Sequence, residues 1–229
     1  MDSEIIAGYK TYIDLLKTDM LAGKEILSTG MMGEIRRCQM AIDRAIKGQK
    51  VVIISSGDAG IYGMASLVLE LLADQGLSDK LEVRIIPGIP ALSAAASLLG
   101  APLTHDFAVI SLSDLMTPWE LIESRVKAAA EADFVLVIYN PRSKKRHWQL
   151  GRIRDIIKEY REKDCPVGIV RNATRNNESV KITTIAELDG SEVDMLTILI
   201  IGNSQTKVCD GKMITPRGYI KKYKNKTTS

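Results

Sequence analysis

The sequence predicts an α/β protein of two domains, the first built on a mainly parallel sheet and the second on a mixed one. Two observations point there. Short apolar runs rich in β-branched residues recur along the chain, and most end in a Gly-rich or polar turn followed by a stretch of helical period. The 229 residues, 45% hydrophobic and 26% charged, suffice for two such domains and exclude wholesale disorder. With only 5% aromatic residues, the core must be aliphatic.

The elements follow in order. Val51-Val52-Ile53-Ile54 is a continuous apolar run, as expected of a strand buried on both faces. It ends in Ser55-Ser56-Gly57-Asp58-Ala59-Gly60, after which Ile61, Met64, Ala65, Val68, Leu71 and Leu72 fall at helical spacing. Residues 83–86 repeat the strand pattern and stop at Pro87-Gly88, before an Ala-rich helix near residues 91–99. A boundary is expected near residues 102–106, which divides the chain into domains 1–103 and 104–218. Beyond it, residues 107–112 read as a strand and 118–132 as a helix opened by Thr117, with Pro118 at the first helical position. Residues 134–139 form a buried strand and 147–161 a helix. Residues 167–170, 179–183 and 195–201 complete a second sheet, the last two as antiparallel neighbours joined by a short helix around 185–188. Residues 219–229 read as a solvated, Lys-rich tail.

Several function classes drop out. The net charge of +3 is too small to argue for nucleic acid as a partner. Cys38, Cys165 and Cys209 are widely spaced, with only His105 and His147 as further soft ligands, so neither a metal site nor a disulfide framework is expected. The longest apolar runs, 134–139 and 196–201, fall far short of the ~20 residues of a membrane helix. The start, Met1-Asp2-Ser3-Glu4, is acidic, unlike a signal peptide. The expectation is a cytoplasmic protein with no membrane partner.

In a parallel α/β sheet, ligands bind outside the carboxyl ends of the strands. Two loops at such ends, 55–63 and 87–91, are rich in Gly; Gly57, Gly60 and Gly63 permit close backbone approach. A helix N-terminus behind such a loop favours a carboxylate or phosphate. Asp58 either caps that helix or pairs with a ligand's ammonium or hydroxyl group, and spacing does not separate the two. Gly-x-x-Gly-x-x-Gly is equally compatible with a nucleotide, although no Gly-Lys-Ser/Thr element accompanies it. At the end of the 134–139 strand, Arg142, Lys144, Lys145 and Arg146 either hold a polyanionic substrate or form a basic helix start, a placement the helix dipole disfavours. His105-Asp106 stands at the expected hinge, where a structural role is more common than catalysis.

The segment Ser55-Ser56-Gly57-Asp58-Ala59-Gly60-Ile61-Tyr62-Gly63-Met64-Ala65 resembles the Gly-Asp-Pro-x-x-Tyr-Gly loop of S-adenosylmethionine-dependent tetrapyrrole methylases. Gly8-Tyr9-Lys10-Thr11-Tyr12, Pro87-Gly88-Ile89-Pro90-Ala91, His105-Asp106-Phe107, Ser111-Leu112-Ser113-Asp114, Tyr139-Asn140-Pro141-Arg142-Ser143 and Val170-Arg171-Asn172-Ala173-Thr174 are similar to the branch that methylates C17 of precorrin-3B or cobalt-factor III. The likeness runs from Ile5 to about Gly202. It implies two α/β domains with S-adenosylmethionine in the cleft between them, a homodimer, and methyl transfer coupled to ring contraction in cobalamin biosynthesis. The cofactor's implied neighbours are Ser56, Gly57, Asp58, Ile61, Pro90, Ala91, Tyr139, Asn140, Ala173 and Thr174. The substrate's carboxylates would meet Lys10, Arg142, Lys144 and Lys145, and acid–base help would come from His105, Asp106 or Ser113; no metal is held by the protein. Ala59 stands where the family often has Pro, and Pro90 where it often has Thr. Family members also open with a strand and a Gly-x-Gly-Pro-Gly loop ahead of the segment matching residues 5–12; this sequence starts after them, so the first domain is expected to lack a central strand. The alternatives are a truncated or non-catalytic member, a methylase of another ring position, and a nucleotide-binding module.

Overall fold

The structure, a computed structural model, describes residues 3–143 and 146–224. It divides into two compact units, Met1–Pro90 and Ala91–Ser229. In the first, the elements are β1 (Ile5–Tyr9), α1 (Lys10–Ile13), α2 (Thr18–Leu21), β2 (Glu25–Thr29), α3 (Glu34–Ile46), β3 (Val51–Ile53) and α4 (Ala65–Asp74). The strands form a parallel sheet in the order β2-β1-β3. β1 takes the centre because Ile5-Ile6-Ala7-Gly8 is buried throughout, and Gly8 leaves no room for a Cβ, which would stand 2.5 Å from Ile54 Cγ1. Helix α3 turns Cys38, Ala41 and Ile42 inward at the spacing of one helical face, and Ala41 packs on Ile5, Ala7 and Leu27.

Two expectations for this unit are corrected. β3 is half-buried rather than buried on both faces. Residues 83–86 form no strand, and Val83, Ile85 and Ile86 are 41%, 48% and 61% exposed. Among the described residues, neither they nor the outer edge of β3 has a ladder partner, and an apolar run without a partner for its N–H and C=O groups cannot become a strand.

The second unit contains α5 (Ala91–Leu99), β4 (Gly100–Ala101), β5 (Phe107–Ser111), α6 (Trp119–Glu131), β6 (Val135–Tyr139), α7 (Gln149–Lys158), β7 (Pro166–Arg171), β8 (Ser179–Thr184), β9 (Thr197–Ile201), β10 (Lys207–Cys209), β11 (Lys212–Ile214) and α8 (Tyr219–Lys224). Its main sheet runs β5-β6-β9-β7-β8, with β5 and β6 parallel and the other pairs antiparallel. A small sheet joins the β10–β11 hairpin to β4. Along β6, Val135 and Val137 face one core with Leu99 and Ile200, while Leu136 and Ile138 face another with Ile122 and Ile153. That two-sided burial explains the continuous apolar run.

β8 and β9 are not neighbours, because β7 lies between them. The wholly buried β9 takes an interior place and the exposed, polar β8 takes the edge, where unpaired groups meet water. The expected helix at 185–188 is a turn, followed by a 3-10 turn at Gly190–Glu192. Pro118 occupies the N-cap of α6 rather than its first helical position. Residues 219–224 of the expected tail are helical; 225–229 lie outside the described residues. The units divide at Pro90 rather than after Leu103, because α5 packs on β7, β8 and β9. Among the described residues, no helix is long and apolar enough to cross a membrane.

Candidate functional site

In the first unit, the carboxyl ends of three parallel strands lie at Tyr9, Thr29 and Ile53. The loop that leaves β3 turns through Gly57 at φ 72° and Tyr62 at φ 51°. Asp58 does not cap a helix: α4 begins only at Ala65, and its N-cap, Met64, offers no side-chain bond. Instead, Asp58 Oδ1 accepts from the N–H of Gly60 at 2.8 Å and Oδ2 from the N–H of Gly88 at 2.8 Å. These N–H donors, Gly88 first, hold the carboxyl below its ordinary range. The 55–63 and 87–91 loops meet so closely that a Cβ at Gly88 would stand 2.0 Å from the Gly57 carbonyl oxygen. Ser56 is half-buried in this loop, Ile61 is exposed, and Pro90 is half-buried at the end of the second loop. The product is a fixed, ionised carboxylate with lone pairs left for a ligand's ammonium or hydroxyl.

The second unit brings another set together. β5, β6 and β7 run the same way, so Ser111, Tyr139 and Arg171 end at one sheet edge. The Tyr139 hydroxyl accepts from the N–H of Leu92 at 3.0 Å, and Ala91, Tyr139 and Ala173 pack on one apolar cluster. Asn140, at φ 49°, donates through Nδ2 to Ser111 Oγ at 2.9 Å, which also accepts from the N–H of Ser113 at 3.2 Å. Thr174 sits at φ 61°, and its N–H donates to Glu178 Oε2 at 2.6 Å. A β-branched residue in the left-handed region is strained, and such strain gathers at functional sites.

The other candidates fare differently. His105 and Asp106 precede β5 and so lie at the opposite edge from Ser113; His105 Nδ1 accepts from the N–H of Asp106 at 2.8 Å. Of the basic cluster, Arg146 is an internal brace: it is 8% exposed and donates to Leu112 O at 3.1 Å and Asn140 O at 2.8 Å, with Asp114 at 3.8 Å. Arg142 is half-buried and donates to the carbonyl of Gly190, while Lys144 and Lys145 lie outside the described residues. Lys10 pairs with Asp14 at 2.9 Å. Among the described residues, no three His, Cys, Asp or Glu side chains gather as a metal site would require. Sequence reasoning missed Ser111, which ties Asn140 to Ser113, and the buried Arg37. A cation in the first turn of α3, against the helix dipole, was the available signal for Arg37.

The family model of the Tetrapyrrole (Corrin/Porphyrin) Methylases matches residues 2–189. A probable cobalt-factor III C(17)-methyltransferase of Salmonella typhimurium is 54% identical over 217 residues, covering 95% of this chain and 89% of that protein. A cobalt-factor III methyltransferase of Priestia megaterium is 49% identical over 224 residues, 97% of this chain but 41% of that longer protein. The crystal structure of the methyltransferase CobJ superposes with a TM-score of 0.89 at 34% identity, covering 94% of this chain and 89% of that one. Matched over most of its length in sequence and in fold, the chain belongs to the tetrapyrrole (corrin/porphyrin) methylases.

Proposed function

We propose that the chain transfers the methyl group of S-adenosylmethionine to C17 of cobalt-factor III, in cobalamin biosynthesis. The observation that carries this reading is the 54% identity, across 95% of the chain, to the Salmonella protein. A new carbon–methyl bond forms at C17 as the sulfur–methyl bond breaks, and that electron pair returns to sulfur. The sulfonium supplies the driving force, so the protein's task is alignment and exclusion of water.

The residues present fit such a methyl donor. Asp58, ionised and clamped, suits its ammonium or hydroxyl groups, with Ser56, Gly57, Ile61 and Pro90 beside it in the same two loops. The apolar surface of Ala91, Tyr139 and Ala173 suits a flat purine, with Asn140 and Thr174 as polar neighbours. Among the acid–base candidates for ring contraction, Ser113 shares the edge of Tyr139 and Asn140. Arg142 retains donors for a substrate carboxylate beyond its bond to Gly190. A homodimer in the cytoplasm accompanies this reading.

The test is incubation with S-adenosylmethionine and cobalt-factor III, followed by mass spectrometry, together with calorimetric titration of S-adenosylhomocysteine. The expected result is gain of one methyl group at C17. S-adenosylhomocysteine binding with methylation elsewhere on a tetrapyrrole would replace the assignment of C17, and absence of binding would favour a non-catalytic member.

A further inference from the structure

Three arginines are buried in the described residues, and one of them lacks an anion. Arg161 has Asp133 at 3.2 Å and donates to the carbonyls of Ala130 and Phe134 at 2.7 and 2.9 Å. Arg146 has Asp114 and two carbonyls. Arg37 is 3% exposed and, among the described residues, forms no ion pair. Its Nη1 donates to Thr29 Oγ1 at 2.5 Å, its Nη2 meets only the thioether sulfur of Met64 at 3.7 Å, and its Nε has no acceptor.

A guanidinium carries five N–H donors, and leaving a buried charge unpaired is costly. Arg37 also occupies the first turn of α3, where the helix dipole disfavours a cation. Both penalties are relieved by one arriving anion. The position suits a ligand, because Thr29 ends β2 and Met64 follows the loop of β3, both at the carboxyl edge of the parallel sheet.

We propose that Arg37 is a carboxylate-binding residue whose missing counterion is a carboxylate of a bound ligand. The inference rests on the methyltransferase reading, which supplies two sources: the acidic side chains of the tetrapyrrole and the amino-acid carboxylate of the methyl donor. A planar carboxylate can accept from the unused Nε and Nη donors together, a geometry that lysine cannot reproduce.

The test compares wild type, Arg37→Met and Arg37→Lys for melting temperature and for binding of cobalt-factor III, S-adenosylhomocysteine and methylthioadenosine, which lacks the amino-acid carboxylate. Arg37→Met should melt at or above wild type without ligand, since an unpaired charge has been removed. It should bind the carboxylate-bearing ligand at least tenfold more weakly, with Arg37→Lys in between. A loss on cobalt-factor III alone assigns the carboxylate to the macrocycle. A loss on S-adenosylhomocysteine with methylthioadenosine unchanged assigns it to the donor. Wild-type affinity of both variants for all three ligands overturns the inference, and so does a large fall in melting temperature with binding unaltered. A wild type that binds none of the three overturns the methyltransferase reading itself and the inference with it.

Discussion

Gly88→Ala probes the contact on which the proposed donor loops depend. The added Cβ would stand 2.0 Å from the Gly57 carbonyl oxygen, 3.1 Å from its carbonyl carbon and 3.4 Å from Asp58 Cα. Ordinary contact begins near 3.4 Å, so the two loops must part by about 1.4 Å. The obstacle is backbone, which no rotamer change removes. A 2.8 Å hydrogen bond between Asp58 and the Gly88 N–H cannot survive such a displacement. Overpacking of this kind costs about 1–3 kcal/mol. In a chain of this size, each kcal/mol lowers the melting temperature by about 2–4 °C. The ligand suffers more than the fold, because a displacement of about 1 Å spoils a binding geometry. We expect at least a tenfold loss of S-adenosylhomocysteine affinity by calorimetry, alongside a moderate fall in melting temperature. Affinity within twofold of wild type, with an unchanged melting temperature, would refute the idea that these loops are locked together as a ligand platform.

Asp58→Asn should alter the acid limb of stability. The carboxyl is held low by the Gly88 and Gly60 N–H groups, so its contribution is present above the unfolded value of about 4 and is lost as pH falls through the lower folded value. The melting-temperature gap between wild type and variant should be constant near neutral pH and close below about pH 4; a gap that widens on acidification contradicts the clamp. Burial pushes the Cys165 thiol up to about 11 and also raises Cys38, whereas Cys209 is half-buried on β10. A disulfide reagent at about pH 8 should therefore label Cys209 in the native protein and reach Cys38 and Cys165 only on unfolding, and early labelling of either would contradict their packing. Gly168→Ala would place a Cβ 2.3 Å from Leu99 Cδ1, costing about 1–3 kcal/mol in denaturant unfolding. Leu99→Ala alone should cost about 2–5 kcal/mol, and the double variant less than the sum; strict additivity would mean that the two residues do not share that space.

Periodicity and local composition were enough for much of this protein. The run Val135-Leu136-Val137-Ile138 declared a strand buried on both faces because its alternate residues serve two cores. The spacing of Gly57, Gly60 and Gly63 marked a loop of close approach, and the order of short motifs indicated the family across most of the chain. Burial period and turn chemistry are properties of neighbouring residues, so the sequence states them directly. What depends on distant partners was decided only by tertiary structure. Residues 83–86 carry a strand's pattern, yet a strand exists only beside another, and among the described residues none is paired with them. β7 separates β8 from β9 because a wholly buried strand competes better for the sheet interior than one with an exposed, polar face. The role of Asp58 turned on Gly88, thirty residues further along the chain. Arg146 and Arg37 look alike as basic residues near helix starts, but one meets Asp114 and two carbonyls while the other, among the described residues, forms no ion pair. A charge is written in the sequence; its counterion is set by which distant segments fold against it.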